Sequence, residues 1–158
     1  MPERRALTYA SLDAVMPDVD RLLLGYGKAG QWTLGQISNH LSKALTLTVE
    51  GAPVKVSWLK RMVLGPLAKW HVFRTGTMPS GIKIPSPKLV PPAEADDRAE
   101  VEALRAAIRM FLGEAGPLVP HPLFGPMSVD EWRRFHCIHC AHHLSFLVPR
   151  PPSSSAES

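Results

Sequence analysis

The chain of 158 residues fits one domain with a real hydrophobic core, and its hydrophobic content of 45% is ordinary for a globular protein. Its 18 basic residues are scattered rather than gathered in a stripe, so the formal charge of +4 predicts no nucleic-acid partner. The sequence has two cysteines, no apolar signal-peptide core near the N-terminus and no long uncharged apolar run. We therefore expect a cytoplasmic protein without stable membrane insertion.

The predicted organisation is a single helical domain over residues 11–149 with short flanks. Residues 1–10 are expected to form an irregular lead-in, and the Pro- and Ser-rich residues 150–158 a disordered tail. We find no convincing strand pattern. The first helix is predicted from Ser11 to near Gly25, because apolar residues recur there at spacings of three and four: Leu12, Val15, Val19, Leu22 and Leu23.

The second predicted helix has a clear start signal. Thr33 and Gln36 are spaced as a capping box, in which each side chain satisfies a free backbone N–H group. Trp32, just before the box, is placed for a hydrophobic staple. The helix is expected to end near Gly51 and to bury one apolar face, on which His40 also lies: Leu34, Ile37, Leu41, Ala44 and Leu45.

The middle of the chain is harder to interpret. Residues 55–74 carry large apolar side chains among basic ones, and Pro66 should kink or split any helix there. A packing helix beside the bundle is favoured, and a basic helix on a membrane surface is the alternative. Residues 75–93 are Pro-rich and predict a loop ordered over the bundle, with apolar residues to bury: Ile82, Ile84 and Leu89.

Two more helices complete the predicted fold. The third main helix spans residues 94–113, where Asp96 and Asp97 suit a helix start. The fourth starts at a second capping box, Ser128 with Glu131, and ends before Pro149. The predicted fold is therefore all-α, an up-and-down four-helix bundle with an inserted helical segment and a Pro-rich loop between the second and third main helices.

The last predicted helix holds four of the seven histidines within residues 136–143. His139 and His143 are four residues apart, so both imidazoles can reach one ion, and His40 on another helix can supply a third ligand. Three neutral imidazoles leave coordination positions open, as catalytic sites do. Imidazole suits Zn, Ni, Fe or Cu, so we expect a divalent ion without specifying which.

Other interpretations of these residues remain open. The histidines can instead be half-buried groups that bond to the backbone or to one another. His136 could also replace His143 as the partner of His139. We expect four residues to line the cavity or to support the ligands: His136, His142, Trp132 and Asn39. Cys137 and Cys140 are interpreted as small buried hydrophobes, and His71 and His121 as ordinary loop or surface residues.

The order of short motifs resembles a known superfamily. Trp32-x-x-Gly35-Gln36-x-x-x-His40-Leu41, followed later by His139-x-x-His142-His143, resembles the DinB-like (YfiT-like) metal-binding four-helix bundles. The segments His121-Pro122-x-Phe124-Gly125 and Ser128-x-x-Glu131-Trp132, with the His139-x-x-His142-His143-Leu144 ending, resemble an uncharacterised branch, a domain of unknown function. One departure is Leu144-Ser145-Phe146, where many members carry an Arg-Gly-Gln-like segment.

The resemblance implies a divalent metal held by His40, His139 and His143, and it implies a homodimer. Related proteins with known activity are often transferases that use small thiols such as bacillithiol or mycothiol, and others are isomerases or hydrolases. The leading hypothesis is a metal-dependent enzyme acting on a small molecule, with a low-molecular-weight thiol as the candidate co-substrate. No general acid or base is identified. The alternative is a non-catalytic helical bundle that binds a metal or ligand and acts as a dimeric interaction module.

Overall fold

The computed structural model describes residues 2–51, 56–81, 86–114 and 116–151. This part of the chain contains five α-helices and two three-residue strands, which confirms a mostly helical fold. The helices are α1 Val15–Leu23, α2 Leu34–Glu50, α3 Trp58–Thr75, α4 Asp97–Gly113 and α5 Val129–Leu144. The strands are β1 Tyr26–Lys28 and β2 Leu147–Pro149, and short 3-10 turns occupy Leu12–Ala14 and Pro87–Leu89.

Both predicted capping boxes are present. The Thr33 hydroxyl accepts a hydrogen bond from the backbone N–H of Gln36, whose side-chain oxygen accepts one from the Thr33 N–H at 3.0 Å. Ser128 and Glu131 make the same reciprocal pair at the start of α5. The two helices that carry the candidate ligands therefore begin at positions that local hydrogen bonding determines.

The core lies between α1, α2, α4 and α5, and α2 makes its most extensive contact with α4. Gly35 allows this contact, because a Cβ atom added there would come within 2.7 Å of the Ala95 carbonyl oxygen. The Gly35 N–H also donates to the Asp97 carboxylate at 2.6 Å. The largest fully buried apolar side chains come from all four helices and β2, including Leu22, Leu34, Leu41, Leu45, Leu104, Phe111, Leu144 and Leu147.

The expectation of no strands is wrong. β1 and β2 pair antiparallel, with Tyr26 opposite Pro149 and Lys28 opposite Leu147. Three-residue strands are too short to show an alternating pattern, and their pairing joins distant parts of the chain, so periodicity could not reveal them. The pairing ties the segment after α5 to the segment before α2, and the Ala29 N–H extends it by donating to the Phe146 carbonyl at 2.7 Å.

The segment expected to be kinked or split at Pro66 forms one helix, α3. Proline removes one backbone N–H donor, and here it lies on an exposed face of the helix, where water can satisfy the freed carbonyl. Only Gly65 and Val72 are buried in α3, so the expected packing against the bundle is limited. No helix in the described part of the chain is long and apolar enough to cross a membrane.

The Pro-rich segment is partly described. Ile82 and Ile84, which were expected to be buried, lie outside the described residues, and so do residues 152–158 of the predicted tail. After the gap, Ser86 is buried and its side chain accepts from the Lys88 N–H at the start of the Pro87–Leu89 turn. This turn lies against α2, and Leu89 is partly buried. The Pro87–Leu89 turn therefore covers part of the helix that carries His40.

Candidate metal centre

The structure brings together three imidazoles from two helices. His40 lies midway along α2, and His139 and His143 lie one turn apart on α5. The Nε2 atom of His139 is 3.1 Å from the Nε2 atoms of both His40 and His143. One ring nitrogen from each residue lies within 4.8 Å of the others, so the group could hold a metal ion.

The Pro87–Leu89 turn determines how the His40 ring is oriented. Its Nδ1 atom is 2.7 Å from the Leu89 carbonyl oxygen. A carbonyl can only accept, so Nδ1 carries the proton and donates it. The neutral ring then has its lone pair on Nε2, which faces the other two histidines. A hydrogen bond from the second ring nitrogen to a backbone carbonyl is the usual support for a metal-binding histidine.

Hydrogen bonds alone do not satisfy these three rings. With the lone pair on His40 Nε2, the 3.1 Å contact needs a proton on His139 Nε2. That nitrogen is also 3.1 Å from His143 Nε2, yet one proton can be aimed well at only one acceptor. If His143 Nε2 is protonated as well, two N–H groups face each other. If only His143 Nε2 is protonated, the lone pairs of His139 and His40 face each other. If all three Nε2 atoms carry lone pairs, a single cation between them could accept all three.

Two of the three nitrogen–nitrogen spacings, those of His139 to His40 and to His143, also fit an ion. Two imidazole nitrogens, each about 2.0–2.1 Å from a metal and 3.1 Å apart, subtend roughly 100° at that metal. This angle lies between the values for octahedral and tetrahedral coordination. His40 on α2 with His139 and His143 on α5 would be the residues that hold such an ion. His139 and His143 both keep partial solvent exposure, whereas His40 is only 4% exposed.

The surroundings keep the three imidazoles neutral. Burial lowers the pKa of His40, and burial together with the neighbouring histidines holds the pKa of His139 well below its ordinary value. Burial, then His40, His142 and Arg4, lower the pKa of His143 to about 2. Neutral rings keep the lone pairs that a cation needs. The His139 Nδ1 atom is buried and has no hydrogen-bond partner among the described residues.

Trp32 forms a wall of this site that the sequence analysis did not anticipate. Its ring stacks on His143 with a centroid distance of 5.6 Å and an interplanar angle of 11°. It also lies 5.3 Å from the His40 ring. Trp32 precedes α2, so helical periodicity could not place it here, and its position in the same short motif as His40 was the available signal. The indole gives the site a flat apolar side.

His136 lies one turn before His139 on α5, Trp132 lies about two turns before it, and both are in the core. Thr48 donates its single hydroxyl proton to the Ala44 carbonyl, so His136 Nε2–H donates to the Thr48 oxygen at 3.0 Å. The His136 ring stacks on Trp132 at 5.4 Å and is 1% exposed. His136 is therefore hydrogen-bonded without a metal, and a supporting role for it and Trp132 stays a prediction.

His142 and Asn39 lie on other sides of the same helices. The Arg4 guanidinium donates to His142 Nδ1 at 3.1 Å, so that nitrogen is not a free ligand. The Asn39 side chain donates to Glu100 on α4 at 3.0 Å. Neither residue belongs to the group of converging ring nitrogens, and their expected supporting roles also stay predictions.

The other singled-out residues are placed as follows. Cys137 and Cys140 are free and buried, which confirms their interpretation as small core residues. His71 is exposed on α3. His121 is not an ordinary surface residue: its Nδ1 accepts the backbone N–H groups of Leu123 at 3.1 Å and Phe124 at 3.0 Å. The tight His121-Pro122 link also indicates packing near the start of α5, and the His121 ring does lie 5.5 Å from Trp132 and 5.0 Å from Phe135 of that helix.

A comparison with protein families gives one match. The family model described as "Protein of unknown function (DUF1569)" matches residues 1–150, a range that includes all five helices, both strands and the three converging histidines. Comparisons with curated proteins and with solved structures found no match. Because the match covers nearly the whole chain, the protein belongs to the DUF1569 family, whose function is unknown.

Proposed function

We propose that this protein is a divalent-metal-dependent enzyme of the DinB-like superfamily, with the ion held by His40, His139 and His143. The observation that carries the proposal is the convergence of three Nε2 atoms, two pairs of them 3.1 Å apart, in an arrangement that hydrogen bonds alone leave unsatisfied. In this proposal α1, α2, α4 and α5 form an up-and-down four-helix bundle, and α3 with the Pro-rich segment is the insertion.

The chemistry of the donor set supports catalysis. Imidazole binds Zn, Ni or Fe, and a divalent ion supplies Lewis acidity that lowers the pKa of a water or thiol ligand. Leu89 holds the proton on His40 Nδ1, which keeps Nε2 available as a donor atom. The partial exposure of His139 and His143 leaves an approach from solvent. A site of this kind suits transfer to a small thiol or hydrolysis of a small molecule.

Trp32 supports a small organic substrate. Its indole covers one face of His143 and meets His40 at an angle, so an apolar surface borders the donor atoms. Flat apolar walls beside a few convergent polar groups are typical of small-molecule sites. The proposed substrate is therefore a small molecule with an apolar part, and a low-molecular-weight thiol is the proposed co-substrate.

A second candidate function is a non-catalytic metal-binding bundle that serves as a dimeric interaction module. The observation in its favour is that the three ligands come from two helices, so an ion would crosslink α2 to α5. The two functions differ in whether a coordination position can be exchanged. A homodimer and a cytoplasmic location remain predictions, and light scattering coupled to size-exclusion chromatography measures the former.

The first experiment is metal analysis of protein purified without a histidine tag. We expect about one divalent ion per chain in the wild type and loss of most of it in His40→Ala and His143→Ala. His71→Ala is the matched control, because His71 is an exposed histidine of α3 outside the converging group. Unchanged metal content in both ligand variants would contradict the proposed site.

The second experiment separates the two functions. Co(II) is substituted for the native ion, and its visible absorption spectrum is followed as small thiols are added. A spectral change that saturates with thiol shows an exchangeable position and supports the enzyme. A spectrum that does not respond to thiols or other small ligands, with the metal still bound, supports a structural ion.

A further inference from the structure

Helix α3 exposes an unusual amount of apolar surface. Most of its large hydrophobic residues are at least half exposed: Trp58 73%, Leu59 62%, Met62 60%, Val63 62%, Leu67 63% and Trp70 61%. Exposed hydrophobic residues are normal when scattered, but a contiguous patch marks a surface that meets something else. The unpartnered surface of α3 therefore needs an explanation that the metal centre does not supply.

The exposed residues form an ordered stripe. Leu59, Val63, Pro66 and Trp70 follow the spacing i, i+4, i+7 and i+11, so they lie within about 60° of one another around the helix axis. The opposite side carries the two buried residues. A Cβ atom at Gly65 would clash with the Leu123 carbonyl oxygen, so that side of α3 lies directly on the preceding loop of α5. The stripe is consequently exposed along α3, and Pro66 and Trp70 at its edge also border a cleft of about 560 Å³ against Asp130, Glu131 and Arg134 of α5.

The charges of α3 have one sign. The helix contains Lys60, Arg61, Lys69 and Arg74 and no acidic residue. Lys69 is paired with Glu131 at 2.8 Å, on the side that meets α5. Lys60 and Arg74 are exposed, and both lie beside one edge of the apolar stripe. The exposed surface of α3 thus combines apolar side chains with the positive charges of Lys60 and Arg74, while the acidic Asp130 and Glu131 of α5 lie across the cleft and are paired with Arg133 and Lys69. The part of the surface around Lys60 and Arg74 is therefore complementary to negative charge.

We propose that α3 is a membrane-association element, which lies along an anionic lipid surface with the stripe of Leu59, Val63, Pro66 and Trp70 in the headgroup and acyl boundary. An amphipathic helix with large apolar side chains on one face and Lys or Arg beside it binds in this way. Its 18 residues extend about 27 Å, and it lies on the surface rather than spanning it.

The shape and charge of α3 favour lipid over the other occupants. If a second copy of this chain packed on α3 through a two-fold axis, Lys60 and Arg74 of one copy would lie close to Lys60 and Arg74 of the other. Their positive charges would repel. A protein partner would need an apolar groove with acidic rims to enclose a convex helix. A lipid surface can deform around a convex helix, and its phosphate groups can pair with Lys60 and Arg74 beside the stripe.

Vesicle flotation of the full chain tests this proposal. We expect the protein to float with vesicles of phosphatidylcholine mixed with phosphatidylglycerol, and to float weakly with phosphatidylcholine alone. Val63→Asp should lower the partition coefficient at least about tenfold, because it places a charge in the apolar boundary. Lys60→Glu with Arg74→Glu should lower it at least about tenfold as well, because the attraction of two cations to the anionic surface is replaced by repulsion.

The matched control is Leu24→Asp, because Leu24 is 86% exposed but lies at the end of α1. It should float like the wild type, and circular dichroism should show equal helix content in all variants. No flotation with anionic vesicles at low salt overturns the proposal, and so does equal flotation of Val63→Asp. A dimer that Val63→Asp converts to monomer, without flotation, would assign the stripe to a second copy instead.

Discussion

At the scale of single residues, the position of one proton decides what each histidine can do. His40 donates through Nδ1 to Leu89, which leaves its Nε2 lone pair for a ligand. His136 donates through Nε2 to Thr48, which satisfies that nitrogen within the core. Both rings are buried, yet their partners assign them different roles. Sequence position shows neither partner, since Leu89 is 49 residues from His40 and Thr48 is 88 from His136.

Buried neutral histidines make the fold sensitive to acid. Burial, with His121 nearby, lowers the pKa of His136 to about 3, and burial lowers that of His121 to about 4. An unfolded histidine titrates near about 6.5, so the unfolded chain takes up protons first as the pH falls. The stability that these two groups contribute is fully present above that pH and is lost between about 6.5 and 3.

We therefore expect the thermal midpoint to fall as the pH is lowered from about 6.5 to 4, measured by circular dichroism on metal-free protein. His136→Gln keeps an N–H donor for Thr48 but cannot titrate, so its midpoint should fall less steeply over the same range. His71→Gln, at an exposed site, should follow the wild-type slope. Parallel curves for wild type and His136→Gln would contradict this account.

At the scale of elements, α2 illustrates how local and tertiary constraints combine. Its start is determined locally by Thr33 and Gln36, which are three residues apart. Its closeness to α4 depends on Gly35, whose missing side chain admits the Ala95 carbonyl. Gln36 thus helps to start α2, and Gly35 lets α2 approach α4. The capping signal in the sequence predicts only the first of these two roles.

Gly35→Ala should lower the free energy of unfolding by about 1–3 kcal/mol, because the new Cβ would meet backbone atoms that cannot move independently. Chemical denaturation measures this change. Gly113→Ala is the matched control in α4, since a Cβ there meets nothing within 4 Å. That control should be neutral or slightly stabilising through helix propensity. Equal effects of the two substitutions would show that the close approach at Gly35 has no energetic consequence.

At the scale of the whole molecule, the metal centre joins parts that are far apart in the chain. α2 supplies one candidate ligand, α5 supplies two, and the Pro87–Leu89 turn orients the first. The β1–β2 pair and the Ala29 hydrogen bond to Phe146 hold the end of α5 beside the segment that carries Trp32. An ion bound here would therefore stabilise the helical core as well as the site.

Metal removal should lower the thermal midpoint. A ligand that binds only the folded state contributes about 2.7 kcal/mol when its free concentration is 100 times its dissociation constant. Adding EDTA to wild type and to His71→Ala should lower their midpoints equally, and returning the ion should restore both. His40→Ala should show little response to either treatment. A similar EDTA shift in His40→Ala would place the stabilising ion elsewhere.

The local features of this protein follow from its sequence alone. Capping boxes determine where α2 and α5 begin, and the i, i+4 spacing puts His139 beside His143, because these relations involve residues three or four positions apart. The mostly helical fold and the buried cysteines also follow from local pattern and composition. The combination of His40 with the α5 pair was predictable from helix faces, although its role as a ligand set remains a proposal.

Only the tertiary structure decided the remaining features. Three contacts join segments that are far apart in the chain: Trp32 stacks on His143, His40 donates to the Leu89 carbonyl, and β1 pairs with β2. The periodicity of the sequence carries no information about such distant contacts. The exposed stripe of α3 was ambiguous in sequence for the same reason. Apolar residues at helical spacing predict that a helix has an apolar face. Whether that face is buried depends on what packs against it, and the apolar face of α3 is left exposed.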